Sequence, residues 1–138
     1  MSRVRVKICG ITTPEDGVLA AEAGADAIGL VFWPKSPRHV DFERARAVAR
    51  ALPPFVLRVG VFVDASASFL AAAVDAGGLD LLQLHGAEPP EVFDALPRRG
   101  LKAIRVGPGF DAFLIGEHLM SAPDPGAALQ ALLAEAEG

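Results

Sequence analysis

The sequence predicts an α/β protein built on parallel strands, because short β-branched segments alternate with helical segments along most of the chain. Two further observations support this class. Several predicted strands are nearly continuous apolar runs, which is typical of strands buried on both faces. With 138 residues, of which 51% are hydrophobic, the chain is long enough to form one domain over 1–138 with a sizeable core.

The first predicted strand brings the single cysteine of the chain to a strand end. An alternation of β-branched and basic residues over 4–8 predicts a strand that stops at Cys9 and Gly10. A threonine cap and Pro14 then start a helix over 15–23. In parallel α/β folds, active sites lie at such strand-to-helix loops, although a buried structural cysteine is the alternative interpretation.

The same unit repeats along the chain, so we expect a parallel sheet or barrel with helices outside. The loop 33–40 contains two prolines and separates the second strand from the next helix. The further predicted strands cover 25–32, 55–63, 79–84 and 101–106, and the further predicted helices cover 41–52, 66–76 and 88–96.

After the fifth predicted strand the pattern breaks. Only 107–111 separate that strand from the apolar run 112–115, whereas a parallel crossover needs about ten or more residues. Either 112–115 is not a neighbour of the fifth strand, or a β-α unit is missing between them. The run also fits helical spacing, so both a strand and a helix stay open. A last helix is predicted over 127–136.

Composition excludes several classes of partner. The net charge is −4 and no basic run occurs, so neither nucleic acid nor an anionic membrane surface is an expected partner. A single cysteine cannot form an internal disulfide, and no Cys/His cluster has zinc spacing, which favours a reducing cytoplasm without a metal site. No apolar run has the length of a membrane span, and no signal peptide is expected.

Candidate functional residues collect at the ends of the predicted strands. Cys9 ends the first strand, Arg38 follows the second, Asp64 the third and His85 the fourth. A thiolate can act as a general base, an arginine can bind a carboxylate through two hydrogen bonds, and a histidine or aspartate can donate a proton. The alternatives are a solvated loop cation for Arg38, a satisfied loop residue for His85 and a helix cap for Asp64.

Family motifs are found, in order, in four segments of the chain: 7–12, 29–32 together with 36–40, 59–62 and 83–86. In order and spacing these segments resemble successive motifs of the phosphoribosylanthranilate isomerases, and the match runs from about residue 3 to residue 106. The family is a metal-free and cofactor-free (β/α)8 barrel of tryptophan biosynthesis that performs an Amadori rearrangement of N-(5'-phosphoribosyl)anthranilate. The resemblance therefore implies a barrel of this type, and the length of this chain shortens it to five or six parallel strands.

The resemblance also implies residue roles. Cys9 matches the general base that removes the C2 proton of the ring-opened Schiff base, and Arg38 matches the arginine that contacts the anthranilate carboxylate. Lys7 and His85 belong to matched motifs and are assigned to substrate binding. The implied partner is thus a small phosphosugar bearing an anthranilate group.

The sequence departs from the family pattern beyond residue 106. The family's general acid, an aspartate in a Leu-Leu-Asp context, has no counterpart here, so Asp111 is the nearest substitute and Asp64 the alternative. The tail from residue 113 resembles the last β-α unit of indole-3-glycerol-phosphate synthase, where a Gly-Glu pair lies at a phosphate site. This implies that Gly116 and Glu117 contact phosphate, and it places a junction near 107–111.

A barrel with five or six strands would leave an open parallel edge and an uncovered inner face. We therefore expect either a homo-oligomer that closes the barrel between chains or a shortened, poorly active relative. An isomerase is the favoured function. The alternatives are a catalytically impaired, internally deleted fragment that binds phosphate sugars, and a scaffold subunit that completes a barrel with a partner chain.

Overall fold

The computed structural model describes residues 3–103 and the backbone of residues 112–115. These residues contain six strands: β1 (Arg5–Cys9), β2 (Ala27–Val31), β3 (Leu57–Phe62), β4 (Leu81–Leu84), β5 (Arg99–Lys102) and β6 (Ala112–Ile115). They form one sheet in which every neighbouring pair is parallel, and the strand order is β5-β4-β3-β2-β1-β6. The predicted parallel α/β class is therefore confirmed.

Three α-helices follow the first three strands: α1 (Pro14–Glu22), α2 (Phe42–Ala51) and α3 (Ala67–Gly77). Each begins after a capping side chain that accepts a hydrogen bond from the first turn, namely Thr13, Asp41 and Ser66. Since Ser66 caps α3, the alternative that Asp64 caps this helix is wrong. Within residues 3–103, no helix combines the length and apolar character needed to cross a bilayer.

The fifth unit differs from its prediction. The expected α-helix over 88–96 is a 3₁₀ helix, Pro90–Ala95, whose first turn has no side-chain cap. The strand that follows begins two residues before the predicted 101, because Arg99 pairs with Leu81. Gly100 permits this early start, since a Cβ there would lie 2.5 Å from a methyl group of Leu96 in the turn just before the strand.

Residues 112–115 form a strand that pairs with β1. The interpretation in which this run is not a neighbour of β5 is therefore confirmed, and the helical interpretation is wrong. β5 and β6 are the two edges of the described sheet. The expected junction at 107–111 and the expected helix over 127–136 lie outside the described residues.

The main core lies between the helices and one face of the sheet, which we call the outer face. Alternate residues of the strands are fully buried there and contribute on the order of 1.5–3 kcal/mol each to stability. Phe32 and Phe62 stack at a centroid distance of 5.2 Å, and Phe42 and Phe69 pack around them. The strand residues on the outer face include Val6, Ile8, Ile28, Leu30, Leu82 and Leu84.

The opposite face of the sheet, which we call the inner face, carries the polar strand residues Lys7, Cys9 and Gln83 among apolar ones. Lys7 is paired with Ala27, and Cys9 is paired with Gly29. Further along the sheet, Gln83 is paired with residues of β3 and β5. The sequence thus places its chemically reactive strand residues on the face that the helices do not cover.

Candidate active site

Cys9 is the last residue of β1 and is half-buried on the inner face. Its neighbour in β2 is Gly29, where a Cβ would lie only 2.9 Å from Cys9 Sγ. The missing side chain at Gly29 therefore makes room for the thiol. Gly10 follows with a φ of +87°, and the N–H groups of Gly10 and Ile11 both donate to the Gly29 carbonyl.

Arg38 lies against the same turn. A Cβ at Gly10 would lie 3.2 Å from Arg38 Cγ, so the aliphatic stem of the arginine covers the glycine next to Cys9. The Arg38 backbone N–H donates to Ser36 Oγ at 3.1 Å, which orders the loop. Within residues 3–103, the guanidinium makes no hydrogen bond or ion pair. Its planar set of donors is therefore suited to binding a carboxylate group of a ligand.

Lys7 and Gln83 meet across the inner face, and the Lys7 ammonium donates to Gln83 Oε1. Lys7 is in β1 and Gln83 in β4, with two strands between them. Neighbouring strands are about 4.8 Å apart, so three spacings would separate these strands by about 14 Å in a flat sheet. The contact therefore indicates that the sheet curves around its inner face, as barrel strands do.

The charges of the site influence one another. Burial lowers the pKa of Lys7, and interaction with the Cys9 side chain opposes this shift without cancelling it. Partial burial also lowers the pKa of His85, assisted by the charges of Lys7 and Lys102 and opposed by that of Glu88. His85 is consequently held in its neutral form at neutral pH, in which it can both donate and accept a hydrogen bond.

A polar network fixes the loops after β3 and β4. The Asp64 N–H donates to Glu88 Oε2 at 2.8 Å, and the Ala87 N–H donates to Asp64 Oδ1 at 3.0 Å. Lys102 donates to Glu88 Oε1 at 2.9 Å. Burial acts to raise the pKa of Glu88, but the hydrogen bonds from Lys102 and the Asp64 N–H outweigh it and leave the pKa below its usual value.

The structure thus brings Cys9, Arg38, Lys7 and His85 to the rim formed by the carboxyl ends of β1 to β4. Asp64 also follows a strand at this rim, but its carboxylate holds the loop after β4. The other candidates, Asp111, Gly116 and Glu117, lie outside the described residues. In the part of the chain that is described, no three His, Cys, Asp or Glu side chains are grouped to hold a metal ion.

Gln83 and Gly29 were not among the functional residues predicted from the sequence, although each begins one of the matched segments. A glutamine inside the apolar strand Leu81–Leu84 is a signal that could have identified the first, since polar residues are rarely buried without a partner. The role of Gly29 depends on its register with Cys9 in the neighbouring strand, which the sequence alone does not give.

The chain is similar to known proteins over most of its length. The family model of N-(5'-phosphoribosyl)anthranilate (PRA) isomerase matches residues 6–117. An N-(5'-phosphoribosyl)anthranilate isomerase of Pseudomonas aeruginosa (strain LESB58) is 56% identical over 128 residues, which are 93% of this chain and 58% of the relative. The chain thus spans little more than half the length of the curated relatives it matches.

The fold is also similar to that of solved structures. A crystal structure of phosphoribosyl anthranilate isomerase in complex with reduced 1-(O-carboxyphenylamino)-1-deoxyribulose 5-phosphate is 39% identical, has a TM-score of 0.73, and is matched over 84% of this chain and 66% of that chain. TrpF from Jonesia denitrificans, at 20% identity and a TM-score of 0.77, is matched over 98% of this chain and 97% of that chain. This second likeness shows that a solved chain of similar length has this fold.

Proposed function

The chain belongs to the N-(5'-phosphoribosyl)anthranilate isomerase family, and from this membership we propose that it is an isomerase of tryptophan biosynthesis. The proposed reaction is the Amadori rearrangement of N-(5'-phosphoribosyl)anthranilate to 1-(2-carboxyphenylamino)-1-deoxyribulose 5-phosphate. The observation that carries the proposal is the arrangement of a half-buried thiol at the end of β1 beside Arg38.

The reaction needs an acid and a base. The acid donates a proton to the ribose ring oxygen as the C1–O bond breaks, which gives a protonated Schiff base. Cys9, as thiolate, removes the C2 proton, and the electron pair of that C–H bond forms the C1=C2 bond of an enol. Proton transfer to C1 with loss of the enol proton gives the ketone product, so the rearrangement is internally balanced and consumes no oxidant or reductant.

Substrate binding is assigned to residues around the thiol. Arg38 is proposed to bind the anthranilate carboxylate, because its guanidinium can form two parallel hydrogen bonds with a planar anion. Lys7 and His85 are proposed to contact the sugar phosphate. The neutral form of His85, which its lowered pKa favours, suits a hydrogen bond to an uncharged hydroxyl group.

The acid and the phosphate site are proposed from the sequence. Gly116 and Glu117 are the proposed phosphate contacts, since they follow Ile115 in the sequence and Ile115 pairs with Ile8 next to Cys9. Asp111 is the general acid proposed from the sequence alone; the pairing of Ala112, the residue after it, with Arg5 at the amino end of β1 does not support this role. Asp64 is the alternative acid. If Asp111→Asn retains turnover while Asp64→Asn loses it, the assignment to Asp111 is contradicted.

A coupled assay with N-(5'-phosphoribosyl)anthranilate tests the function. We expect the wild-type chain to convert this substrate. We expect Cys9→Ser, which keeps the shape of the side chain but weakens the base, to lose nearly all activity. A wild-type chain without activity would contradict the proposal. It would favour instead an impaired fragment that binds phosphate sugars, or a scaffold subunit for a partner chain.

We also propose that the chain functions in the cytoplasm as a homo-oligomer that covers the inner face. Leu57 and Leu101 are on this face by register and are 45% and 43% exposed. The edge strands β5 and β6 lack a second neighbour among the described residues. Light scattering coupled to size-exclusion chromatography tests the proposal, and an active monomer would contradict it. Cell fractionation tests the location.

A further inference from the structure

Gln83 is a buried polar residue with an incomplete set of hydrogen bonds. Gln83 is only 3% exposed and lies in β4, where the other residues are leucines. The Oε1 atom accepts from Lys7, whereas Nε2 has no hydrogen-bond partner among the described residues. A buried donor without a partner destabilises the protein, so a partner for Nε2 is expected when the site is in use.

The orientation of the amide follows from the chemistry of its neighbour. An ammonium group has three donors and no acceptor, so the Gln83 oxygen has to face Lys7 and the NH2 group has to face away from it. The amide therefore presents donors only to the remaining space. Donors of a neutral amide suit hydroxyl and carbonyl oxygens, whereas carboxylates and phosphates are better matched by charged groups.

The groups around Gln83 indicate which part of the substrate its NH2 group would meet. Lys7 and Cys9 are two residues apart on one strand and share the inner face, and the register partners of both, Ala27 and Gly29, are small. Arg38, at the turn after Cys9, provides the cation for a carboxylate. The hydroxyl-bearing part of a sugar is the portion of the substrate left to face Gln83.

We propose that Gln83 is a substrate-binding residue that also positions Lys7: it holds the Lys7 ammonium beside Cys9 through Oε1 and donates its Nε2–H groups to a hydroxyl or carbonyl oxygen of the sugar near C2. This inference rests on the proposed isomerase function. Among the described residues, the charged and titratable groups around this part of the site are Lys7 and Cys9 on β1, Arg38 after β2 and His85 after β4. Glu88 and Lys102 interact with His85.

Two substitutions separate the parts of this role. Gln83→Met removes both polar atoms at nearly constant volume. Gln83→Glu keeps an oxygen for Lys7 but removes the NH2 donors. We expect kcat/KM to fall roughly 10- to 100-fold in both variants, the loss of one hydrogen bond to substrate. If Gln83 only held Lys7 in place, Gln83→Glu would restore wild-type kinetics, and that result would overturn the proposal.

Val61→Ala is the matched control, because Val61 is the apolar β3 partner of Gln83 and is also buried. We expect this variant to lower the melting temperature and leave KM within about twofold of wild type. A Val61→Ala variant that raised KM as much as Gln83→Met would mean that packing alone explains the effect, which would contradict the proposal.

Binding of ribose 5-phosphate, measured by calorimetry, gives a readout that does not depend on turnover. We expect Gln83→Met to bind this probe roughly 10-fold more weakly than the wild-type chain does, and equal binding would contradict the role of Gln83. The two proposals fail differently. An inactive wild-type chain contradicts the isomerase function, whereas wild-type kinetics in both variants contradict only the role of Gln83.

Discussion

Replacement of Gly29 by alanine would place a methyl group against the thiol of Cys9. Its Cβ would lie 2.9 Å from Sγ and 3.1 Å from Cα of that cysteine. Carbon atoms pack best at about 3.5–4.0 Å, so both contacts are too short. Rotation of the thiol relieves only the first, because the second involves the backbone of β1, which is paired with β2. We therefore expect Gly29→Ala to lower the free energy of unfolding by about 1–3 kcal/mol.

The same substitution should reduce catalysis separately from stability. Moving a reacting group by about 1 Å can lower a rate about 100-fold, so we expect kcat/KM to fall by about that factor under conditions where the variant is folded. Urea denaturation measures the first effect, and the coupled isomerase assay measures the second. Both measurements are made on the same preparation.

Gly60→Ala is the matched control for this variant. Gly60 is in β3 on the outer face, where a Cβ would lie 2.5 Å from a methyl group of Leu79 and 2.7 Å from the ring of Phe62. We expect this variant to lose stability and to keep kcat while it remains folded. If Gly29→Ala retained wild-type kcat/KM, or if both variants lost kcat equally, the steric role assigned to Gly29 would be refuted.

Three further predictions concern single side chains. Arg38→Lys should raise KM about 10-fold with a smaller effect on kcat, because lysine lacks the two-pronged set of donors; an unchanged KM would exclude Arg38 from carboxylate binding. Phe55 is fully exposed and has a φ of +69°, a conformation that glycine adopts more easily, so Phe55→Gly should raise the free energy of unfolding by about 0.5–1 kcal/mol, measured by urea denaturation. A lower free energy of unfolding would show that the ring is needed. Because the pKa of Glu88 is lowered in the folded protein, its ionised form stabilises the fold above the usual glutamate pKa, and this contribution is lost as the pH falls through the lower folded-state value. The difference in free energy of unfolding between wild type and Glu88→Gln should therefore shrink on acidification. A difference independent of pH would contradict the role of the carboxylate.

Local sequence signals were sufficient for the first four strands and three helices. Thr13, Asp41 and Ser66 supply caps that act within one helical turn, so neighbouring residues in the sequence determine where each helix starts. The fifth unit was not predictable in this way. Its strand start depends on pairing with β4 and on the space at Gly100, both of which are tertiary.

Some residues of the candidate site could likewise be predicted from local sequence signals, and others could not. Cys9, Arg38 and His85 follow or end predicted strands, so parallel topology alone is enough to predict that they share a rim. Gln83 and Gly29 matter because of what lies across the curved sheet or in the next strand. Asp64 also follows a strand, yet its carboxylate contacts the Ala87 N–H, a partner that its position in the sequence does not reveal.

Alkylation of Cys9 tests the central claim most directly, because the chain has a single cysteine and the modification can be counted by mass spectrometry. Iodoacetamide adds one carboxamidomethyl group to the thiol, which removes the proposed base. We expect isomerase activity to fall in proportion to the modified fraction, and we expect the product to slow the modification. A fully alkylated chain with undiminished turnover would contradict the assignment of Cys9 as the general base.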